Sequence, residues 1–311
     1  MSSKMSDQYI SVQIIDDSDD EMDTTVKEVK TKEVKEKEID TNEIDTNEIP
    51  IKKKRVYRKK QEIKFEEENE KETKEIEKVV PVCLLKKFYC EQGTIEIGAD
   101  EVGRGPMLGR VYSGAVVLPK DDSFDHFKMK DSKKFTSKNP KKINEVAEYI
   151  KNNALAWAVE YEDETVIDEI NILQATQSAM HKAIKKVIKQ LQDKAGVLDP
   201  NLDNVLLLID GNYFKQLTIL NKNKTKLVTV KNETVEGGDN KYTAIAAASI
   251  IAKVERDKYI EELCLENPEL VERYGIDSNK GYGSKKHMDG IKQYGITKWH
   301  RRTFGLCKDY A

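Results

Sequence analysis

Two adjacent carboxylates, Asp100 and Glu101, close a short apolar run in "IGADEVGRGPMLG" (97–109). Two further acids stand in comparable places. Asp210 closes the apolar run "VLLLI", and Asp239 precedes an alanine-rich stretch, "YTAIAAASIIAKVERDKYIEEL" (242–263). Carboxylates brought together repel one another unless a positive charge sits among them. The sequences around Asp100–Glu101 and Asp210–Gly211 carry no lysine. A hard divalent cation such as Mg²⁺, which takes oxygen ligands and binds through a few carboxylates plus a substrate phosphate, suits such a set. Two such ions about 4 Å apart promote attack of water on a phosphodiester and stabilise the leaving oxygen.

That chemistry needs the acids to meet, and the pattern along the chain supplies the elements. Strand-like runs cover 94–99, 111–118, 154–161, 204–210 and 226–230. A helix opens near Pro140. A long helix covers roughly 163–193, with Ile170, Leu173, Met180, Ile184, Val187 and Leu191 at helical spacing. The alanine-rich stretch is a helix able to lie close on a sheet. Three locally joined strands followed by crossover units predict an α/β fold: a mixed five-stranded sheet flanked by helices, with a C-terminal helical part. In open α/β sheets, sites gather beyond strand ends. Asp100, Glu101 and Asp210 at strand ends and Asp239 at a helix start then converge if their strands are neighbours.

Composition splits the chain. Residues 1–80 carry 17 Lys/Arg against 23 Asp/Glu, and the remainder 36 against 33. The first part holds short repeats, "KEVKTKEVKEKE" (27–38) and "EIDTNEIDTNEI" (38–49), with few residues able to build a core. Residues 1–85 are therefore expected to be a disordered, charged extension, and 93–311 a single catalytic domain. "KKKRVYRKK" (52–60) reads as an import signal, as a phosphate-binding arm or as a solvated basic patch. The four cysteines, Cys83, Cys90, Cys264 and Cys307, have neither zinc-site spacing nor a disulfide pattern and are expected to be free thiols. The sequence has no secretory h-region and no apolar run long enough for a membrane span. The expected location is cytoplasmic or nuclear, and the expected state a monomer; any protein partner of the extension is unknown.

"DEVGRGPMLG" (100–109), "DSKKFTSK" (131–138), "INILQAT" (170–176), "IDGN" (209–212), "GDNKYTAIAAASIIAKVERD" (238–257), "GYGSKKH" (281–287) and "YGITKWHRRTF" (294–304) follow one another in an order that resembles type 2 ribonucleases H, in particular the bacterial-type ribonuclease HII branch. The resemblance spans about 93–304. It implies a ribonuclease H-like fold and Mg²⁺- or Mn²⁺-dependent hydrolysis of the RNA strand of RNA–DNA hybrids. It also implies incision 5′ of ribonucleotides embedded in duplex DNA, leaving 3′-OH and 5′-phosphate. Asp100, Glu101, Asp210 and Asp239 match the family's four acidic positions. Gly103, Arg104 and Gly105 match its GRG motif, and Tyr282 the tyrosine near the scissile junction. The ribonuclease HIII branch lacks the arginine of that motif.

The implied roles have a physical basis. The 2′-OH is what distinguishes RNA from DNA at a given position. Glycines let backbone N–H and C=O approach it, the Arg104 guanidinium suits a phosphate oxygen, and the Tyr282 ring suits the deoxyribose that follows. Lys133, Lys134, Lys253, Lys285 and Arg301 are candidate phosphate contacts. His126 and His181 fall outside the motifs and are expected at the surface or in packing. His287 and His300 are expected to pack or hydrogen-bond. Arg110 stands where the family usually has proline, and Asn240 where it has a small residue.

Overall fold

The computed structural model describes residues 85–90, 93–135, 140–194, 198, 202–221 and 223–311. The expectations for most of the N-terminal extension, including the basic patch 52–60, and for Cys83 lie outside these residues.

Five strands form one mixed sheet: β1 (Ile95–Val102), β2 (Val111–Val117), β3 (Ala156–Glu162), β4 (Val205–Asp210) and β7 (Lys231–Val235). Their spatial order is β3-β2-β1-β4-β7. β1 and β2 pair antiparallel, as do β2 and β3. β4 runs parallel to β1, and β7 parallel to β4. The two parallel steps need crossovers. Helix α2 (Glu164–Gln192) lies between β3 and β4 in sequence, and a separate two-stranded ribbon, β5 (Thr218–Leu220) with β6 (Leu227–Thr229), lies between β4 and β7.

Alternation along each strand sets the layers, because successive side chains face opposite sides. Ile97, Ala99, Ala115 and Val117 pack with Met180, Ile184, Val187 and Leu191 of α2. Val116 packs on the other side, with helix α1 (Pro140–Asn153) and helix α3 (Thr243–Glu266). The alanines of α3 serve close approach: a Cβ at Gly114 would lie 2.3 Å from the Ala248 carbonyl oxygen. A third cluster joins Met107, Leu108, Ile260, Leu270, Tyr274, Ile291 and Cys307. It anchors the C-terminal helices α4 (Pro268–Tyr274), α5 (Ile276–Asn279) and α6 (Lys285–Tyr294).

Three expectations need correction. The run 226–230 is not the fifth strand of the sheet. Its centre belongs to the β5–β6 ribbon, and the polar Lys231–Val235 takes the edge position beside β4, where one flank needs no apolar cover. Of the apolar stripe read along α2, Met180, Ile184, Val187 and Leu191 are buried, while before the break it is Ile167 that is buried in place of Ile170. Asn171 leaves helical geometry (φ 67°, ψ 162°), and its Oδ1 accepts from the Gln174 N–H, restarting the helix. Ile170 and Leu173, beside this break, are exposed. Finally, β1 does not end at Asp100 and Glu101 but runs on to Val102, with Asp100 opposite Gly114. Cys90, Cys264 and Cys307 are free, as expected, and no helix of the described residues is long and apolar enough to cross a membrane.

Candidate active site

The parallel register between β1 and β4 does the first work. Ala99 pairs with Ile209, so one step further along both strands Asp100 stands beside Asp210. Asp239 comes next, from a 3₁₀ turn (Gly238–Asn240) between β7 and α3. That turn is tied to Asp210, whose Oδ1 accepts from the Gly238 N–H at 2.6 Å. Asp100 and Asp239 are nearly covered, at 5% and 4% exposure. Glu101 follows Asp100 on the strand and turns to Arg104, Oε1 to Nη1 3.2 Å.

The electrostatics are those of acids crowded together. Burial pushes the Asp100 carboxyl well above the usual carboxylate range, and Glu101 and Asp210 push it further. Burial also raises Glu101, against the opposing pull of Arg104. Burial raises Asp210, against the Gly238 N–H, with Asp239 adding to the rise. Each acid holds a local partner. Asp100 accepts from the Glu101 N–H at 2.6 Å, and Asp239 meets the Lys133 ammonium at 3.5 Å. The fold, not the neighbouring sequence, thus places a lysine beside the acids, from the 3₁₀ turn Ser132–Lys134. Among the described residues, no three His, Cys, Asp or Glu side chains are drawn together closely enough to cage a metal ion.

Residues 103–110 leave the sheet as an irregular segment. Gly103 has φ +92°, and a Cβ there would lie 2.3 Å from Arg256 Nε; both facts demand glycine. Gly105 faces Tyr282: its Cβ position lies 3.4 Å from the ring. Tyr282 itself is half-exposed. The motif glycines, Arg104, Tyr282 and the acids therefore share one end of the sheet.

Other candidates are placed differently. Arg301 is fully buried and donates to three backbone carbonyls, those of Gly103, Arg104 and Gly109. It cannot reach a phosphate in this position, which corrects that expectation. The carbonyls of Gly103 and Arg104, expected to be free for a sugar hydroxyl, each already accept one bond. Lys253 pairs with Asp257 and Lys285 with Asp289, each one turn along its own helix. The Lys134 side chain lies outside the described set. His126 is buried against Thr243, and His181 meets the Lys215 carbonyl. His287 and His300 are buried and bonded to each other.

Arg110 is stacked between the rings of Tyr161 and Tyr259, 4.1 and 4.3 Å from their centroids. Asn240 donates to Asp131 at 3.0 Å, tying the turn that carries Lys133 to the turn that carries Asp239. Arg110 and Asn240 therefore both have local partners. Sequence reasoning missed Arg256. Its Nη2 donates to the Lys280 carbonyl at 2.9 Å and its Nε to Arg110 at 3.4 Å, bracing the two segments that carry the motif residues. Only its place in "AKVERD" hinted at it.

The family model described as Ribonuclease HII matches residues 97–307. The chain belongs to the ribonuclease HII family. It is 41% identical to Ribonuclease HII of Parabacteroides distasonis over 71% of this chain and 95% of that one. With Ribonuclease HII of Pelagibacter ubique it shares 42% identity over 68% and 96%. Among solved structures, a glutamine-to-alanine variant of Bst-RNase HIII has a TM-score of 0.51 at 17% identity, covering 70% of this chain and 69% of that one; it supports the fold. Family membership makes the chain an enzyme, an endonuclease of the type 2 ribonuclease H class.

Proposed function

We propose that this ribonuclease HII hydrolyses the RNA strand of RNA–DNA hybrids and incises duplex DNA 5′ of embedded ribonucleotides, leaving 3′-OH and 5′-phosphate. In this reading residues 93–311 form the catalytic domain and residues 1–85 an extension outside it. The observation that carries it is the register of the adjacent parallel strands, in which Asp100 and Asp210 each follow the Ala99–Ile209 pair, with Asp239 tied alongside through Gly238. The Gly103–Gly105 turn and Tyr282 lie at the same end of the sheet.

The donor set fits Mg²⁺ or Mn²⁺. It offers carboxylate oxygens, the hard ligands such cations take, with Asp239 tied beside Asp210 through Gly238. Asp100, Glu101, Asp210 and Asp239 would hold it. When bound, the divalent cations would lower the pKa of water and stabilise charge on the leaving 3′ oxygen.

The protein's own residues position the substrate. Asp100 and Asp210 are fixed by sheet register, so the centre they share is fixed with them. Backbone groups of Gly103, Arg104 and Gly105 meet the 2′-OH. The carbonyls of Gly103 and Arg104 retain their second lone pairs for this. Arg104, half-exposed and paired with Glu101 by a bond near the surface, exchanges that partner for a phosphate oxygen. The Tyr282 ring stacks on the deoxyribose after the ribonucleotide. Asp210→Asn assayed on a duplex with one embedded ribonucleotide tests the reading. Loss of cleavage by a factor of roughly a thousand is expected, and near-native cleavage would sink it.

A further inference from the structure

The segment 103–109 lies outside the sheet and pairs with the chain only through one antiparallel bridge, Leu108 with His300, so its other backbone polar groups must be satisfied some other way. Residues 299–301 supply most of the partners. The Arg301 guanidinium donates from Nη2 to Gly103 (2.7 Å), from Nη1 to Arg104 (3.0 Å) and from Nε to Gly109 (2.8 Å). The Arg301 N–H donates to Met107, and the Gly109 N–H to Trp299, both at 2.8 Å. On its other side, the same segment donates from the Met107 N–H to Gly281, next to Tyr282.

The residue before Arg301 reaches the tyrosine segment itself. The Thr297 N–H donates to His300 Nδ1 at 2.9 Å, so the ring proton of neutral His300 sits on Nε2. That proton is shared with His287 Nε2, 3.0 Å away. His287 must then carry its proton on Nδ1, which donates to the Tyr282 carbonyl at 2.9 Å. Both rings are fully covered, and Tyr274 packs edge-on against each.

A buried guanidinium and a buried pair of imidazoles are costly to desolvate. An apolar core would hold two loops together with less. What polar groups add is fixed geometry: the fork of an arginine defines the positions of three carbonyls at once.

We propose that His300 and Arg301 are positioning residues which set the spacing between the Gly103–Gly105 turn and Tyr282, and thereby the preference for an RNA-to-DNA step over an uninterrupted RNA strand. Consecutive in sequence, they hold the two halves of the junction-reading surface, one each. The inference rests on the function proposed above.

The test uses the full chain with Mn²⁺ and two labelled duplexes, one with a single embedded ribonucleotide and one a long uninterrupted hybrid. Four proteins are compared: the unaltered chain, Arg301→Lys, His300→Phe and His300→Gln. The glutamine amide can still donate to His287; phenylalanine keeps the packing and cannot donate. The readout is the ratio of kcat/KM on the two duplexes, with thermal melting and calorimetric Mn²⁺ binding alongside. Arg301→Lys and His300→Phe are expected to shrink the ratio by about tenfold or more. His300→Gln should recover most of it, with Mn²⁺ affinity unmoved in all three.

Folded variants that keep the unaltered ratio would overturn the proposal, even with lowered melting temperatures, since a merely structural clamp behaves that way. His300→Gln losing as much as His300→Phe would overturn the histidine half. Should Arg301→Lys not fold, the His300 pair decides alone. If the unaltered chain cuts neither duplex, the functional reading itself fails and takes this inference with it. A preference retained by the variants removes only the positioning role.

Discussion

The Lys133 ammonium lies 3.5 Å from the Asp239 carboxylate, across 106 positions of sequence. The lysine side chain is largely in solvent while the aspartate is covered, so the contact is cheap to break. It occupies an oxygen that a divalent cation would use. Lys133→Ala should tighten the half-saturating Mn²⁺ concentration by about threefold, the scale of an exposed ion pair. It should also weaken duplex binding and lower its salt slope by about one. Mn²⁺ titrations of cleavage and salt series of binding read both; an unchanged Mn²⁺ midpoint would assign Lys133 to phosphate alone.

His300 predicts an acid limb in stability. Burial, then the neighbouring His287, hold its pKa down at about 3. Its unfolded value is about 6.5. Between these the unfolded chain binds the extra proton, so stability rises with pH through the window and falls as pH drops below about 6.5. At pH 5 the loss is roughly 2 kcal/mol. His300→Gln should flatten this limb in melts between pH 7.5 and 5. A limb equally steep in the variant would place its origin elsewhere, with His126 and His287, both also held low by burial, next in line.

The acids predict the opposite sign. The folded-state pKa of Asp100 is raised by burial, then by Glu101 and Asp210. The folded state therefore holds a proton that the unfolded chain has already released, and stability falls as pH rises from the ordinary carboxylate range through the raised value. In chelator at pH 7.5, Asp100→Asn should be more stable than the unaltered chain by about 1 kcal/mol. The gain should shrink at pH 4 and reverse in Mn²⁺, which binds only the carboxylate form. Urea denaturation under the three conditions checks this.

How much of this was legible in the sequence depends on what each residue does there. Asp100 and Asp210 were legible because an acid closing a buried apolar run is conspicuous, and strand register then placed them together. Asp239 was legible through its motif. The edge strand Lys231–Val235 was not, because an edge exposed on one side carries no apolar alternation, whereas the β6 run does. Arg256 and Arg301 were opaque for a physical reason. A sequence presents arginine as a surface cation, and only the unpaired carbonyls of an irregular loop, invisible before folding, explain a buried one. The break at Asn171 was hidden because helical spacing continues on both sides of it.

Arg110 gives a prediction about stability. Its stack between Tyr161 and Tyr259 should contribute about 1–2 kcal/mol. Arg110→Ala should lower the urea midpoint accordingly without changing the slope. A neutral result would leave the two rings to pack without it.

The pairing of Ile95 with Val205 sets a clock on biosynthesis. The first strand leaves the ribosome long before the partner that brings Asp210 to it. At roughly 5–20 residues per second, that wait is on the order of ten seconds. Through it the nascent polypeptide holds Asp100 and Glu101 with no β4 beside them. Arg301 arrives about another hundred positions later, so the Gly103–Gly109 segment waits longer still for the donor that satisfies its carbonyls.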